Sequence, residues 1–440
     1  MKWISTRGAS PPITFIDALF AGTAPDGGLY MPERLDALPP TTVDRLRGAD
    51  IVEIGTTIGA HILRDEITPQ VLQPLVREAL DFQIPLVRVT DRISVLELFH
   101  GPTMAFKDVG ARVQARLLHH FTDGTPLTIL VATSGDTGSA VAQAFHRVPD
   151  SRVVVLYPEG QVSDVQEAQM ASLGDNIIAL AVRGTFDDCQ RLVKQAFADD
   201  ALRSHVWLTP ANSINLGRLL PQVFYYFLLA GLSSGGGRGP VVSVPSGNFG
   251  NLTAGLIARR IGLPVARFVA ATNVNDAVPD YLESGRYEPR PSIATVANAM
   301  DVGAPSNFER VQALYNSDLE ALRRDIVGAA YKDAQVTAEI ASVYSQHGYL
   351  LDPHSAIAWL ALKDHLADDQ DSQGVFLATA HPAKFREVVE PAIGRRIELP
   401  RPLADALARP RRSVSMPADY AALEEFLRAA PNFQLPTPKV

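Results

Sequence analysis

Six apolar runs rich in β-branched residues punctuate the chain: Leu127–Ala132, Val153–Leu156, Ile177–Val182, Val241–Val244, Phe268–Ala271 and Val375–Ala378. None alternates apolar with polar positions, so each reads as a strand covered on both faces. The stretches between them are long enough for crossover helices, and the pattern predicts a largely parallel α/β core with helices on both faces. Asp164–Leu173 and Phe186–Ala198 are the clearer helices. The second carries an apolar stripe of Leu192, Val193, Ala196 and Phe197, and Thr185 and Asp188 approximate a cap at its start. Ser139–Phe145, Leu252–Ile261 and Arg218–Leu232 are also helix-like.

The flanks read differently. Turn-rich Pro25–Pro32 and Pro39–Pro40 surround short segments and suggest an N-terminal module packed onto the α/β body. Ser233–Pro240, with sequence SSGGGRGP, reads as a domain junction or a surface loop. Beyond Pro400, Arg409, Arg411 and Arg412 lie beside prolines, in a solvated surface segment or an anion-binding arm. No solenoid-type repeat is present.

Composition narrows the class of protein. With 440 residues, 46% hydrophobic and 20% charged, the chain can bury a large core and is not a disordered one. A net charge of -8 argues against binding nucleic acid or an anionic membrane. No apolar run approaches the roughly 18 residues of a membrane span, and Asp17 interrupts the early apolar patch, so neither a span nor a secretory signal is expected. The single cysteine, Cys189, and the absence of histidines at helical i,i+4 spacing predict a cytosolic protein without a metal. The cations are unevenly shared: only seven of the 40 are lysines, so chemistry that needs a neutral primary amine has few candidates.

Ser246-Gly247-Asn248-Phe249-Gly250-Asn251 stands between a predicted strand and a predicted helix. Such a turn aims backbone N–H groups and a helix dipole at an anion, and it lacks the lysine of a nucleotide P-loop and the dinucleotide spacing. It reads as a cradle for a small cofactor's phosphate, or as an ordinary glycine turn. Thr133-Ser134-Gly135-Asp136-Thr137-Gly138 is either a second receptor, suited to a carboxylate, or a hydroxyl-rich helix cap. Lys107 follows an uncharged approach containing Phe99 and Phe106, a setting that lowers an amine's pKa and favours a nucleophile. Amine, phosphate cradle and carboxylate receptor together suit pyridoxal 5′-phosphate acting on an amino acid.

Six segments, FHGPTMAFKD (Phe99–Asp108), ATSGDTG (Ala132–Gly138), ANSINLGRLLPQ (Ala211–Gln222), PSGNFGN (Pro245–Asn251), NVNDAVPDYLESG (Asn273–Gly285) and ATAHPAKF (Ala378–Phe385), closely resemble threonine synthases. STRG (Ser5–Gly8) and DGGLYMP (Asp26–Pro32) fit the longer bacterial and fungal branch of that family. The resemblance runs nearly end to end and is weakest after Pro400. It implies a fold-type II pyridoxal phosphate enzyme, related to the tryptophan synthase β fold, that converts O-phospho-L-homoserine and water to L-threonine and phosphate. The implied division is an N-terminal module over 1–93, a large cofactor-binding domain from 94–125 and 235–400, a small α/β domain over 126–232, and an extension over 401–440.

By the same resemblance Lys107 holds the cofactor covalently, and Gly247, Asn248, Phe249, Gly250 and Asn251 bind its phosphate. Thr379 then meets its ring nitrogen. Thr133, Ser134, Gly135, Asp136 and Thr137 face the substrate carboxylate, with Asp136 expected to position the loop or meet the cofactor's ring oxygen. Asn212, Ser213, Asn215 and Arg218 are the candidates for the substrate phosphate, although Arg218 also reads as an ordinary helix-face arginine. Lys384 is the rival amine, in a supporting or phosphate-binding role. Another fold-type II enzyme, or a silent relative that binds a phosphorylated metabolite, are the alternatives. Monomer and homodimer both remain open.

Overall fold

In the computed structural model, which describes residues 1–232, 239–369 and 371–429, the buried apolar runs assemble into two separate sheets. The larger has six strands in the order Ile326–Ala330, Arg267–Thr272, Val241–Pro245, Gly374–Ala378, Ile93–Glu97 and Leu86–Arg88. All its pairings are parallel except the one between Leu86–Arg88 and Ile93–Glu97. Val241–Pro245 and Gly374–Ala378, which pair in the middle, are buried at every position. The smaller sheet is wholly parallel, in the order Ser413–Pro417, Ile177–Arg183, Ser151–Pro158, Leu127–Ala132 and Leu208–Pro210.

Two expected elements change. Arg218–Leu232 is not one helix: it breaks into Leu216–Leu219, Gln222–Tyr226 and a 3-10 turn over Phe227–Leu232. Pro221 stands at the first break, where it supplies no N–H to carry the ladder across. The two glycine turns are shorter than expected because their helices begin inside the motifs, at Asp136 and at Gly250. The expected cap of the helix Phe186–Ala198 is present as a reciprocal pair between Thr185 and Asp188.

The segment after Pro400 is woven into the smaller sheet. Ser413–Pro417 forms its edge strand, and Arg411 bridges Asp164 and Glu167. At the other end, Trp3–Ser5 pairs antiparallel with Tyr30–Pro32, and Arg310 ties that strand pair to the body by donating to the Tyr30 carbonyl. Residues 233–238 of the glycine-rich stretch lie outside the described residues. Among the described residues no helix is long and apolar enough to cross a membrane.

The helix Lys107–Thr122 lies against the helix Leu216–Leu219, and a Cβ on Gly110 would sit 2.5 Å from the Arg218 carbonyl oxygen. A side chain there must push the two helices apart. Gly110→Val is expected to cost about 1–3 kcal/mol, the usual range for overpacking, measured as a lower thermal midpoint.

Candidate active site

The two central strands of the larger sheet deliver the site. At their carboxyl ends, Val241–Pro245 runs into the 246–251 turn and Gly374–Ala378 into Thr379, the location at which parallel sheets present ligand-binding loops. Phe106 N–H donates to the Thr379 carbonyl at 2.8 Å, and Ala105 bridges to Ala380, so Lys107 is anchored beside Thr379. The loop that presents Lys107 is closed by Asp108. Its carboxylate accepts from Thr103 N at 2.8 Å and Thr103 Oγ1 at 2.7 Å, and it packs so tightly on Gly101 that a Cβ there would meet it. Burial raises the Asp108 carboxyl to about 6 against the opposing pull of those Thr103 bonds.

Lys107 is largely buried, and desolvation lowers its amine to about 8. The carboxylate that would hold it charged is Asp136, 3.9 Å away, but that anion is already matched. Lys384 Nζ lies 2.7 Å from Asp136 Oδ1 and also donates to the Thr103 carbonyl at 3.0 Å, while Gln166 donates to the same Asp136 oxygen at 3.1 Å. Burial alone would raise the Asp136 carboxyl, yet Lys384 and Lys107 outweigh it and hold it well below the ordinary range. Lys384, with no exposed side-chain surface, is a buried counter-charge to Asp136. Asp136, engaged by two lysines and Gln166, is tied into the loop as the expected positioning role requires.

The 246–251 turn is an uncapped helix start. Phe249 adopts left-handed φ 61° and caps the helix Gly250–Arg260 without a side-chain bond. Its ring is pinned edge-on to Phe308. Among the described residues the N–H groups of Gly247, Asn248, Phe249, Gly250 and Asn251 have no hydrogen-bond partner. The Asn248 side chain is spent on Ser213 Oγ and Ser306 N, both at 2.6 Å, which leaves its backbone amide to face a ligand. Asn251 Oδ1 accepts from Tyr225 and Tyr226, and its buried Nδ2 donor has no partner. A run of free amides plus an orphan buried donor is what a bound phosphate requires, so these residues fit pyridoxal phosphate.

The second turn divides its groups. Thr133 Oγ1 accepts from Gly135 N and Gly138 N, both at 2.9 Å, so Thr133 and Gly135 build the turn from within. Among the described residues, the hydroxyls and amides of the exposed Ser134 and half-buried Thr137 have no partner. Among the phosphate candidates, Asn215 drops out: it caps Gly217 N through Oδ1 and donates to the Leu19 and Pro210 carbonyls, which exhausts a fully buried amide. Arg218 is buried, donates through Nη1 to the Ala211 carbonyl, and leaves Nε unpaired. Asn212 Oδ1 is likewise unpaired. Burial lowers the Arg218 guanidinium to about 10, and its charge in turn depresses Lys107.

A family model described as pyridoxal-phosphate dependent enzyme matches residues 85–379. Models for the threonine synthase N terminus and C-terminal region match 2–80 and 355–427. Threonine synthase of Escherichia coli (strain K12) is 44% identical over 97% of this chain and 99% of its own. The chain belongs to the threonine synthase family. A crystal structure of the Escherichia coli threonine synthase superposes with a TM-score of 0.91 at 43% identity, covering 98% of this chain and 100% of that one. A threonine synthase with bound pyridoxal phosphate from Brucella melitensis gives 0.90 at 38% identity, covering 98% and 99%. Threonine synthase activity, the fold-type II architecture and pyridoxal phosphate as cofactor follow from this membership. Sequence reasoning missed Asp108, next to the singled-out lysine, and the pairing of Lys384 with Asp136, for which no local pattern exists.

Proposed function

We propose that Lys107, the 246–251 turn and Thr379 hold pyridoxal 5′-phosphate and that the chain uses it to convert O-phospho-L-homoserine and water to L-threonine and phosphate. The observation that carries this reading is the buried Lys107 amine, lowered to about 8 beside an anion that Lys384 has already neutralised. Bound there, the cofactor supplies an electron sink that makes the Cα and Cβ protons of an attached amino acid labile and allows the γ-phosphate to depart.

The chain's own groups do the rest. Lys107, close to half deprotonated near its pKa, takes and returns protons at Cα and Cβ. Ser134 and Thr137 receive the α-carboxylate through hydroxyls and amides, and Arg218 Nε, with Asn212 and Ser213, receives the substrate phosphate. Thr379 would offer the cofactor's ring nitrogen a neutral hydroxyl, which would restrain ring protonation and favour loss of the γ-phosphate. Water's oxygen ends on Cβ, and Cγ becomes the methyl group. The two sheets serve as cores of the large (94–125, 235–400) and small (126–232) domains, each with an edge strand from outside those ranges, Leu86–Arg88 and Ser413–Pro417 respectively, and with the cofactor turn on the large domain and the carboxylate turn on the small one.

Purified holoenzyme given O-phospho-L-homoserine should release L-threonine and inorganic phosphate in equal amounts, followed by amino-acid chromatography and a phosphate assay. Phosphate with a keto acid in place of threonine would mark a different elimination, and neither product would mark a silent binder.

A further inference from the structure

The motif Asn273–Gly285 has no part in the reading above, yet its first residues lead to the rear of the phosphate turn. Asn273 donates to Thr295 Oγ1 and Asp301 Oδ1, both at 2.8 Å, and Asp301 accepts from Thr295 N and Oγ1. These bonds close residues 295–301 into a tight turn containing the 3-10 segment Asn298–Met300. The turn lies directly behind Gly247: a Cβ on that glycine would come within 2.7 Å of the Ala299 carbonyl oxygen and 2.8 Å of Met300 Cα. The backbone of residues 299–300 therefore backs closely onto Gly247 and limits movement of the cradle's first residue in that direction.

A second, buried clamp holds the turn from the opposite side. Ala299 N–H donates to His354 Nε2 at 3.3 Å, and His354 Nδ1 lies 2.6 Å from Asp352 Oδ2. An acceptor role at Nε2 assigns the proton to Nδ1, so the imidazole is neutral and oriented by the carboxylate. Both side chains are almost wholly buried, and Asp352 is itself fixed as the cap of the helix Pro353–Ala367. His354, whose ring also packs edge-on against Phe385, thus connects a rigid helix start to the wall behind the phosphate turn.

We propose that His354, oriented by Asp352, is a positioning residue for the cofactor phosphate: it holds residues 299–300 against Gly247 and so fixes the amides of the cradle. The proposal rests on the assignment of 246–251 as the phosphate turn. It predicts a loss that depends on the phosphate group of the ligand, which a general weakening of the fold would not produce.

The test is a titration of apoenzyme with pyridoxal 5′-phosphate and, separately, with pyridoxal, followed by visible absorbance. His354→Asn keeps a donor to Asp352 and removes the acceptor of Ala299 N–H; its affinity for pyridoxal phosphate should fall about tenfold while that for pyridoxal changes less than about twofold. His354→Gln restores an acceptor at the Nε2 position and should stay within about threefold of wild type for both ligands. Gly247→Val calibrates the site, with a selective loss of pyridoxal phosphate affinity at least as large. Equal losses for both ligands in His354→Asn, or no loss while Gly247→Val is impaired, would overturn the proposal. Unimpaired phosphate selectivity in Gly247→Val would overturn the phosphate-turn assignment and the proposal with it.

Discussion

Lys107→Ala is expected to reduce turnover of O-phospho-L-homoserine by about 10⁴-fold or more, because it removes both the cofactor's covalent anchor and the base that moves the Cα and Cβ protons. After borohydride treatment and denaturation, wild type and Lys384→Ala should retain the mass of the cofactor on the polypeptide, and Lys107→Ala should not. The comparison is sharp because the two amines lie against the same carboxylate, Lys107 at 3.9 Å and Lys384 at 2.7 Å. Proximity to Asp136 therefore does not choose between them. What chooses is that Lys384 is paired and without exposed surface, whereas Lys107 keeps 17% exposure and its lowered pKa. Cofactor retained on Lys107→Ala would sink the assignment, whatever residual activity remained.

The doubly covered strands were legible in the sequence because burial on both faces leaves an unbroken apolar run. Five strands of the two larger sheets carried no such signal. Leu86–Arg88 and Ser413–Pro417 are short, half-exposed edges, and Ile326–Ala330 contains glycine and two exposed positions; their pairing comes from neighbours distant in the chain. Leu208–Pro210 is three residues long, and Ile93–Glu97 includes Ser94 and Glu97, so neither stands out locally. The site divides along the same line. Lys107 and the 246–251 turn were legible because scarcity of lysine and glycine–helix geometry are properties of short segments. Asn215 and Arg218, three residues apart, were both phosphate candidates in sequence. Only packing distinguishes an amide consumed by Leu19 and Pro210 from a guanidinium with a free Nε. The Lys384–Asp136 pair and the Asp352–His354 clamp depend on chain segments meeting in space, which no local motif encodes.

Asp136→Asn and Lys384→Met are expected to move the Lys107 amine in opposite directions. Asp136 is the one charge acting to raise it, so Asp136→Asn lowers it below about 8; Lys384 is a like charge that depresses it, so Lys384→Met frees Asp136 for Lys107 and raises it. Capture of pyridoxal phosphate by apoenzyme needs the neutral amine. Its rate, measured against pH by stopped-flow absorbance, should therefore rise with a midpoint lower than wild type in Asp136→Asn and higher in Lys384→Met. Stability follows a different rule. Asp136→Asn strands the buried Lys384 charge and should lose about 3–5 kcal/mol; Lys384→Met should lose less because Lys107 remains beside Asp136, and the double variant should lose less than the sum because neither member of the buried pair remains. The sign in acid follows from Asp136 itself. Its carboxyl lies below the ordinary value when folded, so the stabilisation is complete above about pH 4 and is lost only as the pH falls through that lowered pKa. The deficit of Asp136→Asn in chemical denaturation should accordingly narrow in stronger acid, and narrow again as the pH rises toward about 8, where Lys107 loses its charge and with it the attraction to Asp136. Capture midpoints that coincide in wild type and both single variants would show that Asp136 and Lys384 do not set the charge on Lys107.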